Sequence, residues 1–421
     1  MCDEMNMRSH PSILLLLLLA GLCSACTNLQ GHQPPRLVKV GILHSRTGTM
    51  SISENTVAEA ELMAIDEINR AGGLHVNSQR LQIVPIEEDG MSDWPTFARK
   101  AARLIDRDQV SAVFGGWTSA SRKQMLPIFE SRHNLLFYPV QYEGQECSPA
   151  VVYGGSTPNQ QSEPAINWLI KNRGTKFFLI GSDYVYPRTA NQIVRAQVEE
   201  RSASIVDEMY LPLGSKDVAP VIARIHAQLP RGGVVINTLN GDTNLVFFKA
   251  LAKAGIDRSH GYTVMSFSVS EEEVSAIGPE LMAGSMAVWS YFQSLPTPAS
   301  RQFADHFRAR YGLNRVVNDP AEAAYSLVYL WAAAVQRAGS VNPDKVRKAL
   351  IGTTFEAPQG LVTVAENLHL NKRALIGAVK PNGQFQILQD AGVIAPQPFN
   401  TYIAKSKGHR CDWRGASAAA S

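Results

Sequence analysis

The residues of this 421-residue chain that could do chemistry gather in short polar groups behind apolar runs. Trp117, Thr118, Ser119 and Ser121 follow "AVFGG"; Tyr138, Gln141 and Tyr142 close "LLFYPVQY"; Asp183, Tyr184 and Tyr186 follow "KFFLIG"; Asn240 and Asp242 follow "VVINT". A serine at a helix start can donate to a carbonyl or carboxylate oxygen, a carboxamide both donates and accepts, and tyrosines give stiff apolar walls with a polar tip. That is the chemistry of holding a small solute. Taken singly, each residue is explained as well by local structure: Ser119 or Ser121 as an N-cap, Asp183 and the Asn240–Asp242 stretch as turns or caps, and Glu271 to Glu273 after Ser270 as an acidic first turn. What the groups lack is a catalytic set. The chain has no GxSxG elbow, GxGxxG fingerprint or Walker loop, and no HExxH spacing. Ser119 has no base visible in the sequence, so an amidohydrolase is not supported, and no metal or cofactor is expected.

These groups need a scaffold that presents them at strand ends. The runs "LVKVGIL", "LQIVPIEED", "SAVFGG", "LLFYPV", "KFFLIG", "GGVVINT" and "YTVMSF" alternate with helical spacing, such as Val57, Ala60, Ala64, Ile65 and Ile68 between Ser53 and Ala71. Strands alternating with helices predict an α/β architecture of doubly wound parallel sheets, whose ligands sit beyond the carboxyl ends of the strands. Pro139 fixes the chain as it leaves its strand, so Tyr138 and Gln141 project in defined directions. Three stretches break the rhythm: "VVYGGSTPNQ", "MAVWSYFQSLPTP" and "FEAPQGLVTV". Read as crossings near Gly154, Tyr291 and Gln359, they divide the chain into one lobe of residues 37–155 plus 291–359 and a second of 156–290 plus 360–403. A terminal hairpin turns at Pro381-Asn382-Gly383, and residues 404–421 are expected to form a disordered tail.

The composition, 45% hydrophobic and 18% charged, supports two ordinary domains, and a net charge of +3 gives no reason to expect nucleic acid. At the amino end, Arg8 precedes an apolar stretch from Ile13 to Leu22 and the tripeptide Ser24-Ala25-Cys26. About ten apolar residues suit a secretory signal and are too few for a permanent span. Residues 1–26 are therefore read as a lipoprotein signal segment with Cys26 as the lipidated residue, an ordinary signal peptide being the alternative, and 27–36 as a linker. That predicts a periplasmic protein anchored to the membrane by lipid. After processing, Cys147 and Cys411 are expected to remain as free thiols outside any disulfide framework.

At "GGWTSASRK", "FYPVQYEG", "GSDYVYPRTAN" and "NTLNGDTN" the sequence resembles the type I periplasmic solute-binding proteins, and among them the urea-binding components of ABC-type urea transporters and the short-chain amide-binding proteins. Further similarity lies in "EDGMSDWPTFARKAARLI", "SYFQSLPTP", "DPAEAAYSLVYLW" and "FEAPQGLV", so it spans roughly Leu37 to Tyr402. The resemblance implies two α/β lobes joined by a three-stranded hinge, closing as a monomer on one small neutral solute, urea or a short amide, for delivery to an ABC-type permease. By the same resemblance Ser119 meets the ligand oxygen with Trp117 and Thr118 close by. Tyr138 and Gln141 line the first lobe, Tyr184 and Tyr186 close from the second, and Asn240 and Asp242 complete the set. A branched-chain amino-acid binder of the same fold and an amide-sensing regulator remain alternatives.

Overall fold

Residues 36–411 are described by a computed structural model. Six strands form the first sheet in the order β2-β3-β1-β4-β5-β6: β1 (Arg36–His44), β2 (Leu74–Val76), β3 (Gln79–Asp89), β4 (Val113–Gly115), β5 (Leu136–Tyr138) and β6 (Val151–Tyr153). β1, β4, β5 and β6 run parallel. The second sheet has a parallel centre, β7 (Lys176–Ser182), β8 (Ser204–Leu211), β9 (Gly233–Thr238), β10 (Tyr262–Ser266) and β11 (Met286–Trp289). To it the expected hairpin, β14 (Leu370–Val379) and β15 (Phe385–Ile394), adds antiparallel strands. Helices cover both faces, so central strands such as β7 read as unbroken apolar runs with every residue after Lys176 buried. The chain therefore has the expected α/β fold of two parallel-sheet lobes.

Three crossings connect the lobes, and one buried ion pair touches all of them. Lys372 of β14 donates to the Gly154 carbonyl at 3.0 Å and stands 3.7 Å from Asp319 Oδ1. Asp319, at the start of the helix Asp319–Ala338, accepts the backbone N–H groups of Ser290 and Tyr291 at 2.9 and 3.0 Å. The stretch expected as the third crossing, around Gln359, is a hairpin. β12 (Thr354–Ala357) and β13 (Gly360–Val364) form a small hairpin whose Val362 and Val364, with Leu368 and Leu370, pack into the first lobe's core beside Val40 and Trp331. β13 pairs antiparallel with the start of β14, so the hairpin belongs by hydrogen bonding to the second sheet and by its buried side chains to the first lobe's core.

The expected tail also differs. Residues 404–406 form a short 3-10 turn, and Cys411 is disulfide-bonded to Cys147 across a sequence separation of 264 residues. The two cysteines expected as free thiols are thus paired, because the chain after β15 returns to the Gly144–Ser148 loop: Pro398 accepts the Gln145 N–H at 2.7 Å and Ser406 donates to the Gln145 side chain. The signal segment, Cys26, the linker before Arg36 and residues 412–421 lie outside the described residues. Among the described residues no helix is long and apolar enough to cross a membrane.

Candidate functional site

At the end of β4 the chain turns through Gly115 and Gly116 into the helix Ser119–Ser131, capped by Thr118, whose hydroxyl accepts the Ser121 N–H at 3.0 Å. The cap is thus neither Ser119 nor Ser121. Relieved of that duty, Ser119 donates its hydroxyl proton to Glu143 Oε2 at 2.5 Å and accepts from Arg122 Nη1 at 3.2 Å. Arg122 lies on the same face one turn on and is fully buried. A buried guanidinium is tolerable only when paired. Here Glu146 accepts from its Nε at 2.7 Å, Glu143 stands 3.8 Å away, and the rings of Tyr138 and Tyr142 lie 4.7 and 4.6 Å from its central carbon. Burial pushes the Glu146 carboxyl up, but Arg122 and then Lys123 outweigh it and hold the group at about 2.

After β5, Pro139 directs the chain between the lobes. Gly155 packs against the Val140 carbonyl so closely that an added Cβ would sit 1.9 Å from the carbonyl carbon, which leaves glycine the only residue that fits. Tyr138 donates its hydroxyl to the Trp117 carbonyl. Gln141 reaches across, its Nε2 donating to the Phe267 carbonyl at 2.8 Å and to Ser268 Oγ at 3.0 Å, both in the second lobe. Its Oε1 is buried and has no partner.

From the second lobe the helix Val185–Glu200 begins one residue after Tyr184 and places Tyr186 in its first turn. Both tyrosines are buried; Tyr184 lies 6.0 Å from the Trp94 ring and 6.4 Å from that of Tyr186. The Tyr186 hydroxyl comes beside Ser268 and Gln141 without completing a hydrogen bond, and burial raises its pKa. Asn240 accepts from Trp117 Nε1 at 3.2 Å, a second polar contact between the lobes. Asp242 sits at the rim, where it accepts from Lys216 at 2.5 Å and from the Thr49 hydroxyl of the first lobe. Asp183 is exposed and paired with Arg188 at 2.6 Å.

The structure thus brings Trp117, Ser119, Tyr138, Gln141, Tyr184, Tyr186 and Asn240 into one buried zone between the lobes, with Thr118 as a helix cap and Asp242 at the edge. Sequence reasoning missed Arg122, Glu143, Ser268 and Trp94. The first two stand within the quoted groups "SASRK" and "QYEG", and charged residues one helical turn from a candidate serine were the available signal. The Ser119–Glu143 contact resembles a nucleophile with its base, but among the described residues the Ser119 hydroxyl is bonded only to Glu143 and Arg122, without the histidine of a catalytic triad. Among the described residues no group of three or more His, Cys, Asp or Glu side chains could hold a metal. The arrangement can bind and enclose.

Comparison with known proteins agrees with that capacity. The family described as "Periplasmic binding protein domain" matches residues 38–405. A leucine-, isoleucine-, valine-, threonine- and alanine-binding protein of Pseudomonas aeruginosa is 25% identical over 344 residues, 77% of this chain and 84% of that protein. A 112-residue stretch, 27% of the chain, is 33% identical to a protein of Geobacillus stearothermophilus named limonene hydroxylase; the match spans 21% of that protein's length. Among solved structures, an ABC-transporter solute-binding protein of R. palustris in complex with benzoate superposes with a TM-score of 0.74 at 18% identity, covering 86% of this chain and 98% of the other. The branched-chain amino-acid binding protein of Streptococcus pneumoniae in complex with isoleucine gives 0.72 at 19% identity, covering 86% and 100%.

Proposed function

The chain belongs to the periplasmic binding protein domain family, and from that premise we propose that it captures one small solute of no net charge between its lobes and delivers it to an ABC-type permease. The observation that carries this reading is a pair of buried polar atoms with no partner, Gln141 Oε1 from the first lobe and the Tyr186 hydroxyl from the second. A buried polar atom left unpaired costs about 1–3 kcal/mol, so a ligand that fills both stabilises the closed form in particular. The charges argue for neutrality. Arg122 and Lys123 are balanced by Glu143 and Glu146, so a lone carboxylate such as benzoate would bring a charge that the site does not offset, whereas a zwitterion brings none.

Two ligand classes carry no net charge. An α-amino acid is the first reading, supported by the relatives named for branched-chain and small amino acids; its ammonium and carboxylate would face Glu143 and Arg122, each of which has a buried atom without a hydrogen-bond partner. Urea or a short amide is the second, supported by the uncharged Gln141 and Tyr186 and by the aromatic enclosure of Trp94, Tyr138 and Tyr184. Anchoring through lipidated Cys26 and action as a periplasmic monomer belong to the same proposal. Thermal-shift measurement of the chain after Cys26 with alanine, leucine, urea, acetamide and benzoate tests it. Stabilisation by an amino acid supports the first reading and by urea or acetamide the second, whereas stabilisation by benzoate alone would contradict the neutral site.

A further inference from the structure

Resting on that reading, we propose that Glu143 is a positioning residue that sets the polarity of Ser119, so that Ser119 offers the ligand a lone pair and not a proton. A serine hydroxyl has one proton and two lone pairs. The proton goes to Glu143 Oε2 at 2.5 Å, and Arg122 Nη1, at 3.2 Å, takes one lone pair. One lone pair is left. Glu143 cannot turn away: it is buried, with Arg122 at 3.8 Å and Lys123 at 3.9 Å on its other oxygen. Being held as an acceptor, it prevents Ser119 from donating elsewhere. The ligand group that meets Ser119 must therefore carry an N–H, in place of the oxygen expected there from the resemblance, and the ligand oxygen must find its donors elsewhere, the Tyr186 hydroxyl across the cleft being one. The site would select a solute with N–H next to a carbonyl or carboxyl and refuse one with oxygens alone.

Calorimetry with alanine, leucine, urea and acetamide on the wild-type chain, Ser119→Ala, Glu143→Gln and the double variant tests this. For whichever probe the wild type binds, each single substitution is expected to weaken affinity roughly 10-fold, the size of one hydrogen bond to a charged or polar group. The double variant should be no weaker than the weaker single, because Glu143 acts through Ser119. Losses that multiply to about 100-fold, or a Glu143→Gln variant that binds as wild type does, would overturn the inference while leaving the binding function intact. Should Glu143→Gln not fold, Glu143→Asp keeps the charge but withdraws it from Ser119 and is expected to show the same loss; unchanged binding by it would equally overturn the inference. A wild-type chain that binds no probe overturns the reading on which the inference rests, and the inference with it.

Discussion

Tyr186 shows what a binding residue looks like when a fold has not used it. Its hydroxyl is buried and unpaired, so removing it should help the empty protein and harm the loaded one. Tyr186→Phe is expected to raise the melting temperature of the ligand-free chain, by up to about 1 kcal/mol of stability, and to weaken binding roughly 10-fold; melting and calorimetry on the same sample check both, and a loss of ligand-free stability would assign the hydroxyl to packing. Glu322 makes the opposite case, a residue used by the fold at a pH-dependent cost. Burial raises its carboxyl to about 7, against the pull of Lys372 and with the charge of Asp319 adding. Because the folded pKa exceeds the unfolded one, the folded state holds the extra proton, and stability falls as pH rises from about 4.5 through 7. Glu322→Gln should therefore be more stable relative to wild type at pH 8 than at pH 5, by roughly 2–3 kcal/mol. The unpaired Gln359 Oε1 beside it can receive the new amide once the Gln359 carboxamide rotates. Denaturant titrations at the two pH values give the difference, and equal effects at both would show that Glu322 does not titrate in this range. At this scale the sequence revealed which residues stand at strand ends, from the apolar runs before them. It did not reveal which atoms remain unpaired, because Gln141 spends its donors on a backbone carbonyl more than a hundred residues away.

The elements were more legible than their ends. The helical spacing predicted a helix from Ser53 to Ala71, and the helix runs Ser51–Arg70; the acidic turn after Ser270 is a capping box closed by Glu273. Apolar periodicity carries such assignments because burial imposes it along the whole element. Tertiary returns carry no such period, which is why residues 404–411 were expected as part of a disordered tail. Residues 395–411 run from the second lobe, where Asn159 donates to the Ala395 carbonyl at 2.8 Å and Asn400 to Glu163 at 2.6 Å, to the first, where Cys411 is bonded to Cys147. The loop they hold, Gly144–Ser148, follows directly on Gln141 and Glu143. At Gly144 a Cβ would stand 2.2 Å from the Pro398 carbonyl oxygen at a φ of +68°, so the strap and the loop are fitted to one another. Reduction, or Cys411→Ser, is expected to cost about 2–5 kcal/mol of stability and to weaken ligand binding, since the loop bearing the site loosens. Melting and calorimetry with and without reductant check this, and unchanged binding in the reduced protein would show that the loop holds its shape without the strap.

In the whole molecule, the hinge and the cleft are two ends of one device. The Lys372–Asp319 pair fastens the three crossings at their common point, while Ser53 to Glu273 at 2.7 Å, Thr56 to Glu272 at 2.9 Å and Trp117 to Asn240 at 3.2 Å join the lobes on the cleft side. Polar contacts opposite a fastened hinge are what the proposed function requires, since a ligand between the lobes would then decide when they stay together. The measurement that tests this account most directly is isothermal titration calorimetry of the chain after Cys26, stripped of carried ligand, against leucine, alanine, urea, acetamide and benzoate. The account predicts saturable one-to-one binding of an uncharged or zwitterionic probe and no heat with benzoate. One-to-one binding of benzoate with silence from every neutral probe would contradict it.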